Sequence, residues 1–310
     1  MADTRTLLAI DWGSSALRGA LLAADGQVLQ EHSFERGMLS VQAGGFAQVF
    51  GECFGDWMQT ARLCLMSGMV GSRQGWQEAP YCPCPARFED LLERLCWLEP
   101  GRHAIVPGLC LPGTDLPDVM RGEETQIFGA LRLLELSRAR IVHPGTHGKW
   151  AQVEGGRITG FSTWMTGEFY ALLRHHSILA RSLPAEEPPA DAEAFELGLR
   201  RAIATPALLH HVFGVRTLAL FEKLPPQALP SYLSGLLIGE ELRAQSLAAG
   251  EEVVLIGARK LTARYGQALA LMGVSSRVVG EAATWAGLHA LAHALGTWGD
   301  APATAGRGGA

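Results

Sequence analysis

Cysteine is sparse and dispersed in this sequence. Six residues (Cys53, Cys64, Cys82, Cys84, Cys96 and Cys110) in a chain of 310 are too few to staple a protein of this size, which excludes a disulfide scaffold and suits thiols in a reducing compartment. Only Cys82 and Cys84 stand close together. With no second pair at zinc-ligand spacing, they are read as structural or incidental. Positive charge is also lacking: the net charge is −5 and no polybasic stretch occurs, which excludes a nucleic-acid backbone as partner. Long hydrophobic runs are absent as well. The opening MADTRTLLAIDWGSS has one short apolar run before Asp11, so neither a secretory leader nor a membrane span is expected, and the cytoplasm is the expected location. What is abundant is apolar material, 48% of residues. A chain this long exceeds one hydrophobic core, which predicts two compact units with a crevice between them.

The first fifty residues read as three strands, TLLAID, LRGALLA and QVLQEHSF, the last two separated by an Asp25-Gly26 turn. From Phe46, the residues Val49, Phe50, Cys53, Phe54, Trp57, Met58 and Ala61 recur at steps of three and four, predicting a helix with one buried stripe. LCLMSG then returns as a strand. A second copy of the plan begins near residue 139, with ARIVH, KWAQV, a Glu154-Gly155-Gly156 turn and RITGFSTW. The Pro-rich stretch from Leu183 to Ala190 predicts an exposed loop, and helix resumes around Tyr232 to Leu247. EVVLIGARKLTARYGQALALMG reads as buried strand, glycine turn and helix, and SSRVVG as a strand before a helix ending near Leu295.

Each copy opens with a strand that breaks into a glycine and hydroxyl turn. In Asp11-Trp12-Gly13-Ser14-Ser15, backbone N–H groups can form an anion-binding concavity while the carboxylate holds a hydrated magnesium; a hairpin with a turn Asp is the plain alternative. His143-Pro144-Gly145-Thr146-His147-Gly148-Lys149 offers a second such clamp, with Lys149 either on phosphate or merely a solvated strand residue. Arg121-Gly122-Glu123-Glu124-Thr125-Gln126 leads into a helix. Its carboxylates either complement the helix dipole or supply the base that takes a proton from a substrate hydroxyl. Ser67 to Trp76 packs three glycines with Arg73, Gln74 and Trp76, as a substrate loop would: Arg73 can grip a carboxylate and Trp76 can cover an apolar sugar face. The other reading is a surface loop with a buried tryptophan. Gly257, following VVLI, is a place where an adenine ring could lie against backbone.

Together these segments resemble the sugar kinase, actin and Hsp70 superfamily, in which two ribonuclease-H-like lobes clamp ATP between paired phosphate loops. More narrowly, AIDWGSSALRGALL, SGMVGSRQGWQEAPYCPCPA, PDVMRGEETQIFGAL, HPGTHGKW, FSTWMTGEFYALL and SYLSGLLIGEEL resemble the 2-dehydro-3-deoxygalactonokinase family, in that family's order, over most of residues 5 to 290. The resemblance implies an α/β fold of two ribonuclease-H-like lobes with a nucleotide cleft between them. It implies boundaries at 1–137, rejoined by a helix at 281–296, and at 138–280, with 297–310 a flexible tail. It implies a kinase that phosphorylates 2-dehydro-3-deoxy-D-galactonate at its 6-hydroxyl in galactonate catabolism, with ATP and magnesium.

On that resemblance Asp11 organises the metal. Gly13, Ser14 and Ser15 face the phosphates from one lobe, and Gly145, Thr146 and His147, with Lys149, from the other. Gly257 lies at the adenine. Ser72, Arg73, Gln74 and Trp76 hold the sugar acid, and Glu123 or Glu124 stands where related kinases carry a catalytic Asp. No membrane or nucleic-acid partner is expected, and self-association stays open. Two rivals remain: a kinase of the same fold acting on another sugar or sugar acid, and a non-catalytic, actin-like nucleotide-binding protein.

Overall fold

The computed structural model describes residues 6–296; the tail expected to be flexible at 297–310 lies outside the described residues. The chain divides into two units. The first comprises Met1–Arg138, Gln152–Phe161 and Glu281–Ala310, and the second Ala139–Ala151 and Ser162–Gly280.

The first unit opens with strands β1 (Thr6–Trp12), β2 (Leu17–Ala23) and β3 (Val28–Phe34), then helix α1 (Phe46–Thr60) and β4 (Ala61–Ser67). After these come β5 (Tyr81–Pro83), α2 (Phe88–Glu93), β6 (Cys96–Glu99), β7 (His103–Ile105), β8 (Gly108–Leu111), β9 (Asp118–Met120) and α3 (Glu123–Leu133). Six strands form one sheet in the order β3-β2-β1-β4-β7-β6, and β5-β8-β9 form a small second one. β1 runs antiparallel to β2 but parallel to β4. A strand flanked on both edges and covered on both faces must be apolar throughout, and Leu7, Leu8, Ala9 and Ile10 are all fully buried. The edge strand β3 carries Gln30, Glu31 and His32, and all but its last residue are exposed. Phe46, Phe50, Phe54 and Met58 form the buried stripe of α1, at four-residue steps. Ala61, read from the sequence as the end of that stripe, instead begins β4, because the chain turns extended there.

The five-stranded sheet repeats the plan of the six-stranded one. β10 (Ala139–His143), β11 (Gly148–Glu154) and β12 (Arg157–Trp164) are followed by α4 (Thr166–His176), α5 (Ala192–Ala204), α6 (Leu208–Leu220) and α7 (Leu229–Ala244). β13 (Glu252–Ile256), α8 (Arg259–Leu271), β14 (Ser275–Val279) and α9 (Ala282–Ala294) complete the described chain. The order β12-β11-β10-β13-β14 matches the first five strands of the larger sheet, with β13 parallel to β10 as β4 is to β1. Residues 152–161 of the β11–β12 hairpin count with the first unit, where Ala86 and Ile158 exchange backbone hydrogen bonds of 3.0 and 2.9 Å.

The stretch from Leu183 to Ala190 has no helix or strand; it is anchored by buried Leu183 and by Arg174, which donates to the Pro184 and Glu186 carbonyls at 3.0 and 2.9 Å. The helices α4 to α6 are an addition that the sequence reading did not resolve. With α7 they enclose their own core around Leu179, Val212, Val215, Leu233 and Leu236. α9 leaves the second unit's last strand and packs on α3. A Cβ on Gly129 would lie 1.9 Å from the Ala283 carbonyl oxygen, and one on Gly287 would lie 2.1 Å from that of Thr125, so only glycine permits this approach.

Candidate active site

In the first unit, three backbone segments converge at the carboxyl ends of β1 and β4. Gly68, directly after β4, has φ +98°, and a Cβ there would lie 2.8 Å from the Trp12 carbonyl oxygen and 3.3 Å from Asp11 Oδ1. Gly122, the residue before α3, has φ +108°, and its Cβ would meet Gly68 Cα at 3.1 Å. Both positions combine crowding with a left-handed backbone, so the site depends on their lacking side chains. This brings Asp11, the turn after it, the start of the 68–76 loop and the head of α3 into one neighbourhood.

The turn itself is held from one side. The carbonyls of Gly13, Ser14 and Ser15 accept hydrogen bonds from Met38, Leu39 and Gly37 at 2.9, 3.1 and 3.2 Å. In a trans peptide the N–H points opposite to the carbonyl, so the N–H groups of Ser14, Ser15 and Ala16 face away from that segment, as an anion-binding turn requires. Asp11 is nearly buried and receives the Arg18 guanidinium at 2.6 Å, and Arg18 also reaches Glu281 at the head of α9 at 2.5 Å. The β1–β2 register sets Asp11 directly opposite Arg18.

Glu123 and Glu124, equivalent in the sequence reading, differ sharply here. Glu124 is wholly buried: the Gly122 N–H donates to its two oxygens at 3.0 and 2.7 Å, and the Thr125 hydroxyl at 3.1 Å. Ser67 extends the chain by donating to Thr125 at 3.0 Å. Burial, reinforced by the charge of Glu123, pushes the Glu124 carboxyl up to about 8, against the opposing pull of its hydrogen bonds. Glu123 is only half-buried and accepts from the Arg121 N–H at 3.0 Å. Of the two, Glu123 is the carboxylate that a substrate hydroxyl could meet.

The loop following Gly68 is compact. Trp76 packs edge-on to Trp12 with ring centroids 6.3 Å apart and leans on Phe50 at 5.6 Å, while Arg73 and Gln74 are exposed. Arg73 pairs weakly with Glu78, at 3.6 Å, and the Ser72 hydroxyl lies 3.3 Å from Met38 Sδ. Arg121 has a part here that its sequence context does not signal. It is buried, stacks over Tyr81 at 4.2 Å and donates to the Ala79 carbonyl at 2.8 Å. Arg121 therefore braces the loop from beneath, one residue from Gly122.

In the second unit, the turn between β10 and β11 presents Gly145, Thr146 and His147, the last two exposed. The start of α4 clamps it. A Cβ on Gly167 would lie 2.4 Å from the Gly145 carbonyl oxygen, the Glu168 N–H donates to the Thr146 carbonyl at 3.0 Å, and the Glu168 carboxylate pairs with the His147 imidazole. Lys149 is buried and donates to the His147 carbonyl at 3.1 Å; the alternative of a solvated strand residue is therefore corrected, because its neighbours on β11 are core residues. Gly257 follows β13 with φ +137°, and its Cβ direction meets the Pro144 carbonyl oxygen at 3.7 Å. Beside Gly145 lies a pocket walled by Leu237, Ile238 and Leu261, with Thr166, Tyr170, Ser234, Arg264 and Tyr265 among its polar groups. Leu237, Ile238, Leu261, Arg264 and Tyr265 lie on helices expected from the sequence, but no site role was expected of them, because no local motif marks them.

The sequence profile of the 2-keto-3-deoxy-galactonokinase family matches residues 11–291. The chain is 40% identical over 295 residues to the 2-dehydro-3-deoxygalactonokinase of Escherichia coli K12, covering 94% of this chain and 99% of that one. A crystal structure of a candidate 2-dehydro-3-deoxygalactonokinase from Sinorhizobium meliloti superposes with a TM-score of 0.86 at 33% identity, covering 94% and 99% of the two chains. The activator of 2-hydroxyisocaproyl-CoA dehydratase from Clostridium difficile, solved with bound ADPNP, superposes with a TM-score of 0.52 at 13% identity over 94% and 96%. At that identity the likeness concerns the fold alone, which is the α/β, actin-like ATPase fold.

Proposed function

The chain belongs to the 2-keto-3-deoxy-galactonokinase family, and from that premise we propose that it transfers the γ-phosphoryl group of ATP to the 6-hydroxyl of 2-dehydro-3-deoxy-D-galactonate. The product is 2-dehydro-3-deoxy-6-phosphogalactonate, in galactonate catabolism in the cytoplasm. The family match carries this reading because it spans both glycine turns, the loop at 68–76 and the head of α3. ATP use is further supported by the nucleotide analogue in the dehydratase activator of like fold.

In the proposed reaction the 6-hydroxyl oxygen attacks the γ-phosphorus, the bond to the bridging oxygen breaks and ADP departs. The hydroxyl proton passes to Glu123. This assignment narrows the pair offered by the sequence, and it is supported by the half-buried position of Glu123 against the sealed one of Glu124. Glu124 instead holds the Gly122 N–H and so the head of α3. The turn at Gly13, Ser14 and Ser15 and the turn at Gly145, Thr146 and His147, with Lys149, serve as phosphate ligands. The pocket beside Gly145 takes the remainder of the nucleotide, with Gly257 at the adenine. Arg73, Ser72 and Gln74 engage the sugar acid, Arg73 through its carboxylate, and Trp76 covers an apolar face.

A magnesium ion fits Asp11, because magnesium in such sites keeps several waters and needs only one or two protein carboxylates beside the phosphates. Bound with ATP, it would supply neutralisation of polyphosphate charge. Arg18 holds the Asp11 carboxylate in a fixed orientation for that task.

The test is a coupled ADP-release assay with ATP and magnesium, run against 2-dehydro-3-deoxy-galactonate, its gluconate epimer and neutral hexoses. Turnover with the galactonate-derived acid and little with hexoses is expected. Equal turnover with glucose, or none with either acid, would overturn the reading.

A further inference from the structure

The segment SYLSGLLIGEEL holds a carboxylate for which the proposed reaction has no use. Glu241 lies on α7, 1% exposed, in a helix that is buried almost from end to end. A carboxylate is kept in such surroundings only where its lone pairs are engaged. Trp150 Nε1 donates to Oε1 at 2.7 Å, the Tyr265 hydroxyl donates to Oε2 at 2.7 Å, and the Thr166 hydroxyl donates to the same oxygen. Burial raises the proton affinity of this carboxyl, and all three donors oppose that.

The donors come from β11, α4 and α8, and each borders the same region. Trp150 directly follows Lys149 at the exit of the 143–149 turn. Thr166 opens α4, and its neighbour Gly167 touches the Gly145 and Thr146 backbone. Thr166 and Tyr265 both line the pocket beside Gly145. One buried side chain thus fixes the exit of the turn, the helix that clamps it and a wall of the adjoining pocket.

We propose that Glu241 is a positioning residue for nucleotide binding, acting on the 143–149 turn and its pocket through Trp150, Thr166 and Tyr265. This rests on the reading of that turn as a phosphate site. Glu241 itself touches neither nucleotide nor sugar acid. Its contribution is to hold groups that would otherwise sample several rotamers, as outer-shell partners do for other binding sites.

Three variants test it. Thr166→Val removes one donor at nearly constant volume. Glu241→Leu leaves all three donors without an acceptor. Glu241→Gln keeps an oxygen for Trp150, while the two hydroxyls can rotate to accept from its amide. Losing a hydrogen bond to a charged acceptor should weaken affinity about tenfold. Thr166→Val and Glu241→Leu are therefore expected to raise both the KM for ATP and the Kd of a non-hydrolysable ATP analogue by that factor or more. The KM for the sugar acid should stay unchanged, and Glu241→Gln should recover to within about threefold.

Nucleotide affinity equal to wild type in Thr166→Val would overturn the proposal, whether or not Glu241→Leu folds. So would equal losses of affinity for nucleotide and sugar acid. Wild-type protein that binds the analogue but turns over no sugar acid would remove the kinase reading alone, since the analogue affinities still decide the role of Glu241. Wild-type protein that does not bind the analogue would remove both.

Discussion

Replacing Glu124 with Gln should change how stability depends on pH more than it changes catalysis. The wild-type carboxyl is wholly buried and pushed up to about 8, whereas in the unfolded chain it titrates near its ordinary value of 4.5. Between those two values the folded state binds the proton that the unfolded state has released, so stability must fall as pH rises. The stabilising proton is fully in place below pH 4.5 and is lost as pH passes through about 8. At about 1.4 kcal/mol per pH unit, raising the pH from about 5 to about 8 should cost the wild type about 4 kcal/mol through this group alone. Gln cannot ionise, yet its carbonyl oxygen can still accept from Gly122 and Thr125. Urea unfolding of both proteins across that range gives the comparison. The variant should gain on the wild type as pH rises, by an amount on the order of 4 kcal/mol at the alkaline end. Parallel stability curves would show that Glu124 ionises normally in the fold, and the assignment of Glu123 as the accessible carboxylate would lose its main contrast.

Glu123→Gln should lower kcat by about 100-fold or more while ATP-analogue binding stays intact; wild-type kcat in this variant would eliminate Glu123 as the base. Arg73→Ala should raise the KM for the sugar acid about tenfold and leave kcat nearly unchanged, which steady-state kinetics at saturating ATP would check. Lys149→Met should raise the KM for ATP and not that for the acid; the opposite split would place Lys149 away from phosphate. Gly287→Val should destabilise the first unit by about 2 kcal/mol or more through overpacking, because even a Cβ would lie 2.1 Å from the Thr125 carbonyl oxygen. Thermal unfolding measures it.

The central strands were the most legible part of the sequence. Leu7 to Ile10 and Val253 to Ile256 are buried on both faces, and a continuous apolar run between turn residues admits few other readings. The repeated order of the two sheets follows from the same runs. Among the helices from Thr166 to Leu220, α5 carries a readable apolar stripe of Phe195, Leu199 and Ala202, whereas α6 was not legible for a physical reason. α6 directs Leu209, Phe213 and Leu220 outward while burying Val212 and Val215, so apolar residues occur around the whole helix and no period emerges. The candidate site shows the same limit. Adjacent glutamates look alike on paper, and only the fold shows that one is sealed and the other half-buried. Glu241 left no local signal either, since its three donors lie 91, 75 and 24 positions away along the chain.

The return of α9 to the first unit has a bearing on biosynthesis. Most of the second unit is one uninterrupted stretch that could close while the ribosome is still working. The first unit must wait: Glu281, the far partner of Arg18, and Gly287, the seat for α3, emerge only after the long stretch that forms the second unit. The neighbourhood of Asp11 thus closes only after the second unit's residues have been made, long after Asp11 itself.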